Sequence, residues 1–330
     1  MTEANGMLKL PERDIPTPAS VSPEAQAMLA RGALGEMPPW PPLDDTAAWR
    51  ATIDYMDAGA VAMFAALAGD AEASAGAPDV VTRSVGDATV YVSVPGEIAD
   101  SDARAVLNIH GGAWVQGAGA LCRMATPARA GLFGVRTWSL DYRMPPEHPF
   151  PAALDDGIAA YRALLEERPA EQIVVAGDSA GANIAAGLMF RLRDEGLPLP
   201  AGLVLDTPAT DLTASGDSLY TNEGVDTVLV GDFRPTMRLY AGGADVRHPH
   251  LSPLFGDFGA GYPSTLLLTG TRDRLLSDTV RLHRALLAAR VPVELHVFEA
   301  QGHGGFMGMA PEDQERRAVV TRFVAERLAH

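Results

Sequence analysis

The stretch VVAGDSAGANIAAGLMFRL, residues 174–192, restricts the fold of this chain more than any other part of it. Its first half is a short run of apolar, β-branched residues and reads as a buried strand. Its second half repeats apolar residues at helical spacing. Between them GDSAG (177–181) implies a sharp strand-to-helix turn, with Gly177 and Gly181 flanking Ser179. Bulkier side chains at those two positions would collide with neighbouring elements. A serine in such a turn stands proud of the C-terminal edge of a sheet. There the N–H of Ala180 and the start of the next helix favour negative charge.

The same rhythm continues along the chain. Runs at 89–94, 105–110, 136–141, 172–178, 202–207, 265–270 and 293–298 read as strands. Helical patterns at 152–167, 180–194, 277–290 and 311–328 alternate with the later ones. Strands joined by crossover helices predict an α/β fold, a mostly parallel central sheet flanked by helices. With 330 residues, 47% of them hydrophobic, the chain can build a large core. The interval 208–262 breaks the rhythm: it has no strand pattern, is rich in Gly, Asp and Pro, and carries Tyr220, Met237, Leu239 and Tyr240. An insertion this long reads as a lid. Residues 1–50, with MPPWPPLDDTAAW at 37–49, read as an appendage anchored by Trp40 and Trp49.

Serine is a poor nucleophile unless a base removes its proton and an acid orients that base. After TLLLTG comes TRDRLLSD, with Asp273; after VELHVF comes EAQGHGGFMG, with His303. In a parallel sheet both loops emerge at the edge that carries Ser179, so the three can meet. Asp278 is a rival acid, although Ser277 and Asp278 read as the cap of the helix at 277–290. Other histidines have weaker settings: His148, His248 and His250 lie among prolines, His283 in a helical run and His296 in a strand. NIHGGAW (108–114) ends an early strand in a glycine-rich loop suited to backbone donors for a developing oxyanion.

Several classes of function are disfavoured. The formal net charge of −16 lacks the basic footprint of a nucleic-acid or anionic-membrane surface. No run of about 18 apolar residues suggests a membrane span. MTEANGMLKLPERDIP at the start does not read as a signal peptide, and the single Cys122 suits a reducing compartment, so a cytoplasmic location is expected. Neither a G-x-G-x-x-G nor a G-K-[ST] pattern occurs, and no His, Cys or carboxylate cluster has metal-ligand spacing. No cofactor and no metal are expected.

Taken together, HGGAW (110–114), LDYRMPPEHPFPAALDD (140–156), GDSAG, TRDRLLSD (271–278) and GHGGF (302–306) resemble the hormone-sensitive-lipase-like esterases of the α/β-hydrolase superfamily, also called bacterial family IV. The resemblance runs from about residue 80 to the C-terminus. It implies Ser179 as nucleophile, His303 as general base and Asp273 as its orienting acid. It also implies an oxyanion hole at Gly111, Gly112, Ala113 and Ala180, with donors from the last three and with His110 and Gly111 shaping the loop. A helical cap would come from residues 1–50 and an insertion at about 208–248, leaving 51–330 as the catalytic domain. Two departures stand out: the family's HGGG reads HGGA here, and its D-P-L-x-D reads D-R-L-L-S at 273–277. Tyr142, Arg143 and Glu147 read as buried supports of the site floor, and Asp178 as a loop-bracing acceptor.

These readings predict a serine carboxylesterase acting on short- to medium-chain esters through an acyl-enzyme. A lactone hydrolase is the nearest alternative; an amidase or deacetylase, or a non-catalytic small-molecule receptor, lies further off. The expected partner is a small ester substrate, and the family suggests a homodimer through the last strand or helix.

Overall fold

The computed structural model describes residues 8, 11–12, 14–33, 39–68, 79–96, 98–99, 101–259 and 261–329. Its strands are β1 (Val81–Val85), β2 (Ala88–Ser93), β3 (Ala105–Ile109), β4 (Arg136–Asp141), β5 (Ile173–Asp178), β6 (Gly202–Asp206), β7 (Thr265–Gly270) and β8 (Val293–Phe298). They form one sheet in the order β1-β2-β4-β3-β5-β6-β7-β8. β2 runs antiparallel to β1 and β4, and every other pairing is parallel. Strands β3 and β7 are buried at every residue. Such continuous apolar runs are what a sheet covered on both faces requires.

Alternate side chains feed two separate cores, as the two-residue period of a strand dictates. Leu107, Ile109, Val175 and Leu267 face one side, packed under α4 (Ala152–Glu167), α5 (Ala180–Asp194) and α8 (Leu276–Ala288). Val106, Val174, Ala176, Leu266 and Leu268 face the other. There they meet Phe133 of α3 (Ala120–Phe133) and Val320, Phe323 and Val324 of α9 (Glu312–Arg327). α3 has no counterpart in the sequence pattern because Pro127 and Gly131 lie inside it. Both weaken a helix in isolation, and packing on the sheet overrides them.

Two helices precede the sheet. α1 (Pro23–Arg31) starts at Ser22, whose hydroxyl accepts the Ala25 N–H at 3.1 Å. It buries Ala25, Met28 and Leu29 against Ala300, Phe306 and Ala310, beyond β8. α2 (Thr46–Ala68) buries Trp49 and Ile53 against Val115 and Leu239. Trp40 stacks on Trp49 at 5.1 Å and donates its indole N–H to Asp232 O at 2.7 Å. Both tryptophans thus act as anchors; residues 37–38 of the stretch quoted above lie outside the described residues.

Between β6 and β7 the chain carries α6 (Ser218–Thr221), α7 (Arg234–Ala241) and a 3-10 turn at Pro253–Phe255, with no strand among the described residues. No helix is long and apolar enough to cross a membrane among the described residues.

Candidate active site

Ser179 sits between β5 and α5 with φ 54° and ψ −118°. A non-glycine residue held there costs on the order of 1–3 kcal/mol and persists only when its surroundings enforce it. The enforcement is steric. A Cβ on Gly177 would overlap the backbone of Gly181, and one on Gly181 would overlap the carbonyls of Ile109 and His110. The Ser179 N–H donates to Asp206 O at 2.8 Å, which pins the turn to β6.

The loop after β3 lies against this turn. A Cβ on Gly111 would come within 3.2 Å of the Ser179 Cβ and 2.6 Å of an Asp178 oxygen, so only glycine permits the approach. The Gly111 N–H is committed to Asp178 Oδ2 at 3.2 Å, while Asp178 Oδ1 accepts from Arg129 at 2.7 Å. Asp178 therefore braces the loop as read from the sequence, and the Gly111 N–H is not free to act as a donor there. Among the described residues the N–H groups of Gly112, Ala113 and Ala180 form no hydrogen bond.

Gly112 has φ 113°, and a Cβ there would overlap Gln116 O. Ala113 and Trp114 also take positive φ, 52° and 63°. Ala113 therefore holds a strained conformation that glycine would adopt freely, and its methyl packs on the Trp49 cluster. Trp114 is locked by its indole N–H to Asn183 Oδ1 at 3.2 Å and by stacking on Tyr240 at 5.2 Å. Behind the loop, Tyr142 stacks on His110 at 4.3 Å and donates its hydroxyl to His110 O at 3.2 Å.

Asp273 and His303 meet at the sheet edge where the elbow also lies. The loops carrying them are drawn together by Arg272 N–H to Gln301 O at 3.0 Å and by Thr271 N–H to Phe298 O at 3.0 Å. His303 Nδ1 lies 3.2 Å from Asp273 Oδ1. Asp273 also accepts the Leu275 N–H at 2.8 Å and the Thr269 hydroxyl at 2.7 Å. Burial acts to raise the Asp273 pKa, but His303 and these donors outweigh it and hold the carboxyl below its ordinary range. For His303 burial acts to lower the pKa. The hydrogen bond to Asp273 and the charges of Asp273, Asp226 and Asp206 outweigh it, leaving the imidazole above its ordinary value. Paired with an ionised carboxylate at Nδ1, the ring presents Nε2 as its proton acceptor.

The rival acid lies elsewhere. Asp278 does not cap α8; its Oδ2 accepts the N–H groups of Thr210 and Asp211 at 2.8 and 2.9 Å. Ser277 exchanges hydrogen bonds with Ser218, its hydroxyl accepting the Ser218 N–H at 2.8 Å and its own N–H donating to Ser218 Oγ at 2.7 Å. Both residues tie the insertion to α8, an outcome invisible to local cap patterns because their partners lie 59 and 68 residues away. The floor reading also needs correction. Tyr142 is buried, but Arg143 is partly exposed and reaches Asp156 and Asp87. Glu147 is 42% exposed and pairs with Arg50 of α2.

Cys122 is buried, and burial pushes its thiol well up, which disfavours a nucleophilic thiolate. Among the described residues the fold gathers one group that sequence spacing does not suggest: ligand atoms of His110, Cys122 and Asp141 lie within 4.8 Å of one another. Asp141 is engaged there by the Gly119 N–H at 3.0 Å, and His110 Nδ1 by Gly111 O at 2.7 Å. Sequence reasoning also misses Asp226, which contacts the loops carrying Asp273 and His303 from the insertion side by accepting the N–H groups of Arg274 and His303.

Residues 106–307 match the family model for the α/β hydrolase fold. An acetyl-hydrolase from Streptomyces hygroscopicus is 39% identical over 227 residues, 68% of this chain and 74% of that protein. The esterase LipI of Mycobacterium tuberculosis is 34% identical over 228 residues, 65% of this chain and 70% of its own. Among solved structures, esterase E25 superposes with a TM-score of 0.83 at 34% identity, covering 97% of this chain and 98% of that one. A hormone-sensitive lipase from a metagenome library gives 0.77 at 30% identity, covering 92% and 97%. A strand-to-helix elbow around Ser179, a glycine loop against it and an Asp273–His303 pair on the same sheet edge agree with these likenesses: the chain belongs to the α/β-hydrolase superfamily, in its hormone-sensitive-lipase-like group.

Proposed function

We propose that this protein is a serine carboxylesterase that hydrolyses short- to medium-chain esters through an acyl-enzyme, with Ser179 as nucleophile, His303 as general base and Asp273 as its orienting acid. The observation that carries the reading is the strained Ser179 at φ 54°, enforced by backbone packing and placed at the edge where Asp273 and His303 pair. The Ser179 oxygen attacks the ester carbonyl carbon while its proton passes to His303 Nε2. The oxyanion is stabilised by the N–H groups of Gly112, Ala113 and Ala180. Each such donor contributes on the order of 10²–10³ in rate. Collapse expels the alcohol, which takes the proton from His303. Water then attacks the acyl group by the same route, returning Ser179.

The segments at 1–50 and about 208–248 act as the cap over a catalytic domain built on the sheet. Support comes from Trp49 and Leu239, which pack together beside Ala113 and Val115 of the oxyanion loop and make its surroundings apolar, as an acyl chain requires. We place the enzyme in the cytoplasm, where the lone buried Cys122 stays reduced. A homodimer through β8 is supported by its position at the sheet edge and by the exposed Val297. Light scattering that finds only monomer contradicts the dimer.

Stopped-flow hydrolysis of p-nitrophenyl esters from acetate to decanoate tests the mechanism. A burst of p-nitrophenol equal to the enzyme concentration, with kcat/KM falling beyond medium chains, is expected. A rate that rises steadily to decanoate contradicts the chain-length reading, and no turnover of any ester contradicts the activity.

A further inference from the structure

The insertion reaches into the catalytic loops through one buried carboxylate. Asp226 lies between α6 and α7, is only 2% exposed and accepts four backbone N–H groups. Two come from its own turn, Val228 at 3.0 Å and Leu229 at 3.2 Å. The other two come from the catalytic loops: Arg274, next to Asp273, donates to Oδ2 at 3.0 Å, and His303 donates to Oδ1 at 3.2 Å. We propose that Asp226 is a positioning residue for the acid–base pair, its carboxylate clamping the backbones of the Asp273 loop and the His303 loop into one geometry and making that geometry depend on the insertion.

Three further contacts point the same way. A Cβ on Gly302 would lie 2.8 Å from Asp226 Oδ1, so the residue before His303 must be small for the clamp to close. Arg274 sends its side chain back into the insertion: Nε donates to Leu219 O at 3.0 Å, and Nη1 to Leu229 O at 3.1 Å and Gly231 O at 2.6 Å. Its guanidinium lies 4.9 Å over Phe233. Asn222 holds the other side of the loop, donating to Asp273 O at 2.8 Å and Thr271 O at 3.2 Å. The departure from D-P-L-x-D thus acquires a use, because a proline at 274 would supply neither the N–H for Asp226 nor the guanidinium for the three carbonyls.

Removing a clamp on a reacting pair misplaces it by a fraction of an ångström to an ångström, and misplacement of that order costs up to about 10² in rate. Asp226 also places negative charge near His303. The other charged groups facing His303 are Asp273, hydrogen-bonded to it, and Asp206 at the end of β6, which pairs with Arg316 of α9. Arg274, next to Asp273 in the chain, turns its guanidinium to the carbonyls of Leu229 and Gly231.

The inference rests on His303 being the base, so its test has a readout independent of turnover. In the full chain, Asp226→Asn is compared with wild type by kcat/KM against pH and by NMR titration of His303. In Asp226→Asn kcat is expected to fall about 10- to 100-fold with KM changed little, and the His303 titration and the acid limb of kcat/KM to move together to lower pH by about half a unit. Gly302→Ala, which crowds the clamp but keeps the charge, is expected to lower kcat and leave the acid limb in place. Asp211→Asn serves as the comparison, since Asp211 bonds within the insertion and to Arg281. An unmoved His303 titration in Asp226→Asn, with a loss of kcat no larger than in Asp211→Asn, overturns the proposal. If wild type turns over no ester but the NMR titration still shifts, the clamp stands and the esterase reading fails.

Discussion

Two regions meet at the C-terminal edge of the sheet and are held by different forces. The elbow and its loop, residues 177–181 and 108–114, are shaped chiefly by steric exclusion: backbone packs on backbone at Gly177, Gly181 and Gly112, with no room for a Cβ, and Asp178 adds a polar tie to Gly111. The insertion after β6 is fixed by buried polar groups whose partners are distant in sequence, Asp226 on Arg274 and His303, and Asp278 on Thr210 and Asp211. Close backbone packing of this kind does not change with pH. Polar fixation is conditional on charge and can be loosened. Ser179, the proposed nucleophile, therefore belongs to the close-packed region, while His303, the proposed base, is held by the insertion as well.

The largest effect expected from breaking the comparison lies at the point both regions share. Asp273→Asn keeps the shape but removes the charge that fixes the His303 tautomer, and kcat is expected to drop about 10⁴-fold while circular dichroism stays unchanged. A drop under tenfold would assign the orienting role to another group. Next comes a pure steric break. Gly181→Ala drives a methyl into the carbonyls of Ile109 and His110. Overpacking of this kind costs about 1–3 kcal/mol. Denaturant unfolding is expected to show at least that loss, with activity falling in the same variant; unchanged stability would mean that the turn can relax.

A smaller, pH-dependent effect belongs to the insertion. Burial pushes Asp278 up to about 7, against the lowering influence of the Asp211 and Thr210 N–H donors. The folded state then binds a proton that the unfolded chain, with an ordinary aspartate, releases near pH 4. Stability from this group is full below that value and is lost as pH rises through about 7. Asp278→Asn is expected to flatten this fall, raising Tm at pH 8 by a few degrees relative to wild type, on the order set by about 1 kcal/mol for a domain of this size. Parallel Tm–pH curves for the two proteins would contradict it. The smallest effect is expected at the Arg50–Glu147 pair between α2 and the loop after β4, with both side chains more than 40% exposed. Glu147→Gln should change stability by less than about 1 kcal/mol. A larger loss measured by urea unfolding would show that α2 depends on the pair.

The same contrast explains what could be read in the sequence. β4, β7, β8, α4 and α5 coincide with the runs identified at 136–141, 265–270, 293–298, 152–167 and 180–194, because hydrophobic period is a local property. The triad candidates and the glycine loop were equally legible, since a tight turn demands glycine at fixed offsets. β1 was not, because four of its five residues are exposed and it is defined by pairing with β2 alone. α3 was masked by Pro127 and Gly131, and α2 by the proline-rich stretch before it. Asp226 carried no local signal, since it finds its partners on the Asp273 and His303 loops 48 and 77 residues away, and Arg274 showed only as a departure from a motif with no visible use. Asp278 was misread for the same reason: an acid near a helix start matches a cap, and only the fold reveals the backbone donors of Thr210 and Asp211.

The central claim, that the strained elbow makes Ser179 the nucleophile, is tested most directly by labelling with a fluorophosphonate probe. Wild type and Ser179→Ala are compared, with folding of both checked by circular dichroism and p-nitrophenyl butyrate hydrolysis followed in parallel. One adduct per wild-type chain is expected, mapped by mass spectrometry to Ser179, with no adduct and no turnover in the folded variant. An adduct on another residue, or hydrolysis that survives in Ser179→Ala, would contradict it.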